Sequence, residues 1–176
     1  MMKPLLNDIE LQETIQTLSR AILKRHHPFK NIVLVGIQTR GVLLAERLKE
    51  DLTASQNLEG EIPLGILDIS FYRDDLSLVA EAPVVKKTDM PISLQDQGVI
   101  LVDDVLFTGR TVRAALDALL DFGRPRFIEL AILVDRGGRE LPIQANYVGI
   151  HYEAVLGDNV KVMFQESDGD EKVVVI

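Results

Sequence analysis

Val99–Thr111 reads VILVDDVLFTGRT, and the order of its side chains decides the fold. Gly98 to Val102 is too short for a helix and apolar throughout, which predicts a core strand covered on both faces. Two carboxylates, Asp103 and Asp104, follow where that strand is expected to leave the sheet, and a loop runs on to Gly109. The turn Thr108-Gly109-Arg110-Thr111 then opens a helix predicted over Arg110–Phe122, with Val112, Leu116 and Leu119 inward and Gly123 and Pro125 as its stop.

The flanking sequence repeats this alternation. Leu11, Ile15, Leu18 and Ile22 fall three and four apart, predicting an amphipathic helix from Asp8 to about His26 that Asn7 and Glu10 are placed to cap reciprocally. Asn31–Gly36 (NIVLVG) reads as a buried strand, followed by a Thr39-Arg40-Gly41 turn and a helix through Leu44, Leu48 and Leu52. Ile62–Tyr72 is expected to be a further strand. Arg73 to Gln97 holds charges, prolines and no sustained period, which predicts a functional loop that moves. Phe127–Val134, Tyr147–Tyr152 and Val160–Phe164 read as later strands. Strand and helix in alternation imply an α/β fold, a mainly parallel sheet flanked by helices, with ligands at the carboxyl ends of the strands. With no repeat or linker, and 47% hydrophobic residues among 176, one domain over residues 1–176 is expected.

Composition narrows the chemistry. Acidic residues outnumber basic ones 27 to 19, for a formal charge of −8, so no global field would draw the chain to nucleic acid, although a local basic patch could. The absence of cysteine removes disulfides, thiolate catalysis and cysteine-ligated metals. The start, MMKPLLNDIELQ, has no signal-peptide pattern, and no apolar run approaches a membrane span, so a soluble, cytoplasmic protein is expected.

The Thr108–Thr111 turn supplies free backbone N–H groups, two hydroxyls and the positive end of a helix dipole, which together suit a phosphate. Gly109 lets the backbone come close, and Thr108 and Thr111 can donate to phosphate oxygens. Asp103 and Asp104 would repel that phosphate, so they suit sugar hydroxyls or Mg²⁺. An isolated Asp-Asp pair would equally fit a capped loop of an ordinary α/β protein. The complete thirteen-residue run favours a site that takes ribose and phosphate together.

That run resembles the 5-phosphoribosyl-1-pyrophosphate signature of the type I phosphoribosyltransferases. GIQTRG (Gly36–Gly41), LDISFYRDDLS (Leu67–Ser77) and LVDRGGRELPIQANYVG (Leu133–Gly149) are similar to one member group, the PyrR family of pyrimidine operon attenuators that are also uracil phosphoribosyltransferases. The resemblance, recognisable from about Leu34 to Gly149, implies the type I fold with a flexible loop and a small hood. It also implies transfer of phosphoribose to uracil with Mg²⁺, giving UMP and pyrophosphate. In such enzymes the turn matching Thr39, Arg40 and Gly41 receives pyrophosphate. The mobile loop would bring Arg73, and Lys86 with it, to the leaving group, while Asp103, Asp104 and the segment Val105, Leu106, Phe107, Thr108, Gly109, Arg110, Thr111 hold the ribose phosphate. Arg136 matches an arginine near the nucleotide, and the backbone around Val160 matches the hood segment that contacts the base. His26, His27 and His151 fall in none of these blocks, which suits surface or packing roles.

The same resemblance implies UMP-responsive binding to pyrimidine operon leader RNA and assembly into homodimers or larger oligomers. Gln16, Arg20, Lys24 and His27 recur at helical spacing; Arg20 and Lys24 of that stripe, supplemented by Arg25 and with Arg124, Arg126 and Arg139 expected nearby, are cations offered to RNA, although a basic helix face is equally a solvated one. Relatives commonly carry His where this chain has Gly138 and Arg where it has Gln144, and their Pro-Thr-Ser segment is replaced around Glu153–Leu156. Two other readings stay open: a regulator that uses the donor site mainly as a nucleotide sensor, and a phosphoribosyltransferase for another base.

Overall fold

The structure, a computed structural model, describes residues 2–56, 61–72, 87–155 and 157–176. In chain order its elements are β1 (Lys3–Leu6), α1 (Asp8–Arg25), β2 (Ile32–Ile37), α2 (Arg40–Gln56), β3 (Leu64–Leu67), β4 (Gly98–Leu106), α3 (Arg110–Leu119), β5 (Phe127–Asp135), β6 (Tyr147–His151), β7 (Val160–Met163), α4 (Gln165–Asp168) and β8 (Lys172–Val175).

Strands β3-β2-β4-β5-β6 form a parallel sheet in that order. Strand alternation divides its core between two faces. Leu34, Ile100 and Val102 share one cluster with Leu44 and Leu48 of α2 and Leu18 of α1. Val35, Val99 and Leu101 share the other with Val112 and Leu119 of α3. Covered on both sides, β2 has no exposed position, as its unbroken apolar run predicts. Antiparallel β1-β8-β7 forms a separate hood whose Val162, Phe164 and Val173 join the α1/α2 cluster.

Strand β4 does not end at Val102. It runs to Leu106, with Asp103 opposite Ile132 and Val105 opposite Val134, because the nine-residue β5 continues to pair its backbone after the apolar side chains stop. Strand β3 is shorter than the expected Ile62–Tyr72. Asp68 Oδ1 accepts from the Ser70 N–H at 2.9 Å and its hydroxyl at 2.6 Å, and this Asx-type turn leads into a 3₁₀ turn over Ser70–Tyr72. Helix α3 likewise tightens into a 3₁₀ turn over Leu120–Phe122. Strands β1 and β8 were not anticipated. The reciprocal Asn7–Glu10 cap at the start of α1 is present. Of the segment expected to move, residues 73–86 lie outside the described residues, while Asp89 bridges to Ile66.

The end of α1 is held by a carboxylate inside the fold. Glu129 of β5, 6% exposed, accepts from Arg25 Nε at 2.8 Å, His26 Nε2 at 2.7 Å and the Tyr147 hydroxyl at 2.5 Å. The His26 ring stacks on Phe127, centroids 5.3 Å apart. Burial acts to raise the Glu129 pKa, but the Tyr147 and His26 hydrogen bonds and the adjacent positive charge outweigh it, leaving the carboxyl below its ordinary value. A depressed carboxyl contributes stability above its unfolded pKa and loses it as pH falls through the folded one. Glu129→Gln is therefore expected to cost about 1–3 kcal/mol at neutral pH, and the deficit should shrink on acidification below pH ~4, near the ordinary glutamate pKa. Urea unfolding of both proteins across that range measures it; a deficit that does not vary with pH would remove the charge from the explanation.

Candidate active site

The sheet order reverses between β2 and β4: β2 connects through α2 to β3 on one side, and β4 through α3 to β5 on the other. Loops diverging there leave a crevice at the carboxyl ends of the strands. It holds a cleft of about 410 Å³ whose lining includes Thr39, Arg40, Asp68, Asp103, Asp104 and Thr111. Gly41 makes it close-fitting, since a Cβ there would lie 2.5 Å from the Val102 carbonyl oxygen and 3.1 Å from Asp103 Oδ1. The start of α2 is thus pressed against the carboxylate end of β4. The Gln38–Thr39 peptide before it is cis.

Asp103 is 7% exposed, and one oxygen accepts from the Asp104 N–H at 3.0 Å. Burial first, then the neighbouring Asp104 charge, pushes its carboxyl well above the ordinary range. Burial also raises Asp104, against the opposing pull of its hydrogen bonds and of Arg40. Adjacent carboxylates this costly to ionise are suited to partners that supply hydroxyl protons or positive charge.

Helix α3 begins on the other wall. Its N-cap, Gly109, has φ +93° and provides no side-chain cap. The Thr108 hydroxyl accepts from the Arg110 N–H at 3.3 Å, and Thr111, exposed, reaches the cleft. The dipole end of α3 is therefore available to an anion.

A second cleft, about 430 Å³, lies beyond β4 and β5 and is lined by Phe107, Arg136, Gly138, Val155, Asp158 and Asn159 among others. The Arg136 guanidinium lies 3.9 Å from the Phe107 ring centroid, and its Nε is buried with no hydrogen-bond partner among the described residues. Arg139 braces the loop below. It donates to the carbonyls of Ile143 at 2.9 Å and Phe107 at 3.0 Å and to Asp135 Oδ2 at 2.5 Å.

The sequence-predicted residues thus fall into groups. Thr39, Arg40, Asp103, Asp104, Val105 and Thr111 line the first cleft, with Gly41 behind it; Phe107 and Arg136 line the second. Leu106 is core, and Arg110 pairs with Glu140 at 2.7 Å. The Val160 side chain is buried in the hood, and its neighbours Asp158 and Asn159 reach the second cleft. Arg73 and Lys86 lie outside the described residues. Arg20 and Lys24 are exposed on α1; Arg25 is paired with Glu129, and Arg139 is engaged as described. No group of three or more His, Cys, Asp or Glu among the described residues could hold a metal, and no described helix is long and apolar enough to cross a membrane.

Gln38, Asp68 and Ser70 in the first cleft, and Asp158 in the second, were not singled out from sequence. Asp68 and Ser70 stand in the quoted LDISFY block, where the sharp Asx turn was the available signal. Asp158 sits in a Gly-Asp-Asn loop that carries no period.

Residues 7–167 match the family model of the phosphoribosyl transferase domain. The bifunctional protein PyrR of Deinococcus radiodurans is 51% identical over 96% of this chain and 91% of its own, and that of Chloroflexus aurantiacus is 49% identical over 99% and 94%. The crystal structure of the hypoxanthine phosphoribosyltransferase of Trypanosoma cruzi superposes with a TM-score of 0.72 at 18% identity, covering 98% of this chain and 94% of that one, a likeness of fold. The family match and about half-identity over nearly the full length agree: the chain belongs to the phosphoribosyltransferases and, among them, to the PyrR family.

Proposed function

We propose that the protein transfers phosphoribose from 5-phosphoribosyl-1-pyrophosphate to uracil, giving UMP and pyrophosphate, and that it also binds pyrimidine operon leader RNA in response to UMP. The enzyme half is carried by one juxtaposition. Thr39 and Arg40, the Asp103–Asp104 carboxylates and Thr111 in the first turn of α3 line one crevice.

In this reading the α3 N-terminus and Thr111 take the 5′-phosphate, Asp103 and Asp104 accept from the ribose hydroxyls, and Thr39 and Arg40 meet the pyrophosphate. Uracil occupies the second cleft beside Phe107 and Arg136, with the backbone before Val160 on its edge. A ring nitrogen of uracil attacks C1 of the ribose and gives up its proton to solvent as the bond to pyrophosphate breaks, so positive charge grows on the sugar and negative charge on the leaving group. Aligned binding and fixed dipoles supply the rate enhancement, and no side-chain nucleophile is required. Arg73 and Lys86 are assigned to the leaving group from their place in the matching loop. One buried and one half-buried carboxylate fit Mg²⁺ only in part, so Asp103 or Asp104 would share an ion held mainly by the donor; when bound, it would neutralise charge on the pyrophosphate.

The regulatory half rests on the PyrR relatives and on the exposed Arg20 and Lys24 of α1. Arg25 can join them only with the guanidinium atoms that Glu129 leaves accessible.

UMP should form from uracil and the donor with Mg²⁺; transfer to another base in preference to uracil would overturn the base assignment while leaving the donor site. Asp103→Asn combined with Asp104→Asn should lose at least about 10²-fold in turnover, the scale on which electrostatic partners of a transition state act. The same variant should unfold at no lower a temperature than the parent at pH 7. Carboxyls whose pKa the fold raises bind more protons folded than unfolded, so they cost stability as pH rises, and the amides remove that cost. Undiminished turnover in the folded variant would take both residues out of the site. Leader RNA affinity, measured by filter binding with UMP, should fall steeply with salt as phosphate contacts release counterions. Arg20→Gln with Lys24→Gln should weaken that affinity and spare transfer, and salt-insensitive or absent binding would end the regulatory half.

A further inference from the structure

We infer that Asp168, in the hood, is a positioning residue for the donor: it holds the Arg40 guanidinium in the orientation that receives pyrophosphate. This rests on the assignment of Arg40 above and extends it to a residue 128 positions away in the chain.

The carboxylate is itself held on one side. Asp168 Oδ2 accepts from the Ser167 hydroxyl at 2.6 Å and the Phe164 N–H at 3.2 Å. Phe164 is fully buried, and Gly169, at φ +66°, ends α4 directly after the carboxylate. With Oδ2 fixed, Oδ1 faces Arg40 and accepts from its Nη2 at 2.7 Å; Lys161 Nζ stands farther off, at 3.9 Å. The Asp168 side chain is 9% exposed. Burial alone would raise its pKa, but the Arg40, Ser167 and Phe164 hydrogen bonds bring it down to about 2, so it is an anion at every working pH.

Hood attachment does not explain this arrangement, because Arg47, two turns along α2, already provides it. Its guanidinium meets Glu166 at 3.0 Å and Glu171 at 2.5 Å and lies 4.8 Å from the Phe164 ring centroid. Arg40 differs in leaving a donor unused: its Nε is buried and has no hydrogen-bond partner among the described residues. A buried N–H without an acceptor costs free energy that a bound ligand can return, and Arg40 lines the donor cleft. Asp168 occupies one N–H of a five-donor fork and restrains the side chain at that end, which lowers the entropy that binding a dense anion would otherwise cost. It also joins the hood, whose loop before β7 lines the second cleft, to the pyrophosphate turn of the first.

The test is the dissociation constant of 5-phosphoribosyl-1-pyrophosphate with Mg²⁺, measured by titration calorimetry without any base, so that it stands whichever base is used. Asp168→Asn should weaken donor binding about tenfold, the scale of one charge-assisted hydrogen bond; Asp168→Glu should recover part of the loss, and the KM for uracil should not change. In an Arg40→Gln background, Asp168→Asn should add nothing. Donor affinity unchanged in folded Asp168→Asn, or an equal further loss in the Arg40→Gln background, overturns the inference while leaving the donor site intact. Unchanged affinity in Arg40→Gln alone overturns the reading of Arg40 and this inference with it. Should Asp168→Asn fail to fold, Ser167→Ala removes only a bond that fixes Oδ2, and its donor affinity should fall in the same direction by a smaller factor; no change there counts against the inference.

Discussion

Nothing larger than a hydrogen fits on Cα of residue 41. The Val102 carbonyl would stand 2.5 Å from a Cβ there, and Gly36, at the far end of the same turn, is hemmed in by the Val42 Cα at the same distance. These contacts allow β2 to turn into α2 in a few residues and set the start of α2 against the last residues of β4. Without that approach Arg40 and the Asp103–Asp104 pair would not share a crevice, and Asp104 would lose the Arg40 charge that opposes the rise of its pKa. The switch point creates the gap between diverging loops; the two glycines make it narrow enough to be a site.

That narrowness has an electrostatic consequence. Burying two adjacent carboxylates raises both pKa values, an arrangement that opposes folding at neutral pH and is tolerated where ligands complete it. The opposite holds at Glu129 and Asp168, where hydrogen bonds and cations overcome burial. The fold therefore satisfies the carboxylates that hold another side chain in place, Glu129 at the end of α1 and Asp168 beside Arg40, and leaves those in the crevice costly to ionise.

Much of this was legible in the residue order. The core strands announced themselves by apolar runs with helical stretches between them, and the capping box of α1 and the glycine turns were local signals with local causes. What escaped notice depends on pairing between distant segments. Whether β4 stops at Val102 or Leu106 is decided by the length of β5, not by the side chains of β4. Strand β8 carries a run of three valines, a fair β signal, yet β1 has only four residues and a proline, and it forms because β8 offers it an edge. Asp168 lies in ESDGDE (Glu166–Glu171), which reads as a solvated acidic stretch; only the hood topology brings it to Arg40.

The departure at residue 138 acquires a physical meaning in the same way. Gly138 has φ +73°, and a Cβ there would lie 2.6 Å from Phe107 Cε2. With the ring in its present place, a histidine at that position would have to move it, and Phe107 carries the stacked Arg136 guanidinium. The glycine is therefore coupled to the ring and the arginine on the wall of the second cleft, three residues set by one contact. In this chain the bare Cα leaves room for Phe107 against the backbone, and the ring in that place meets the Arg136 guanidinium 3.9 Å from its centroid.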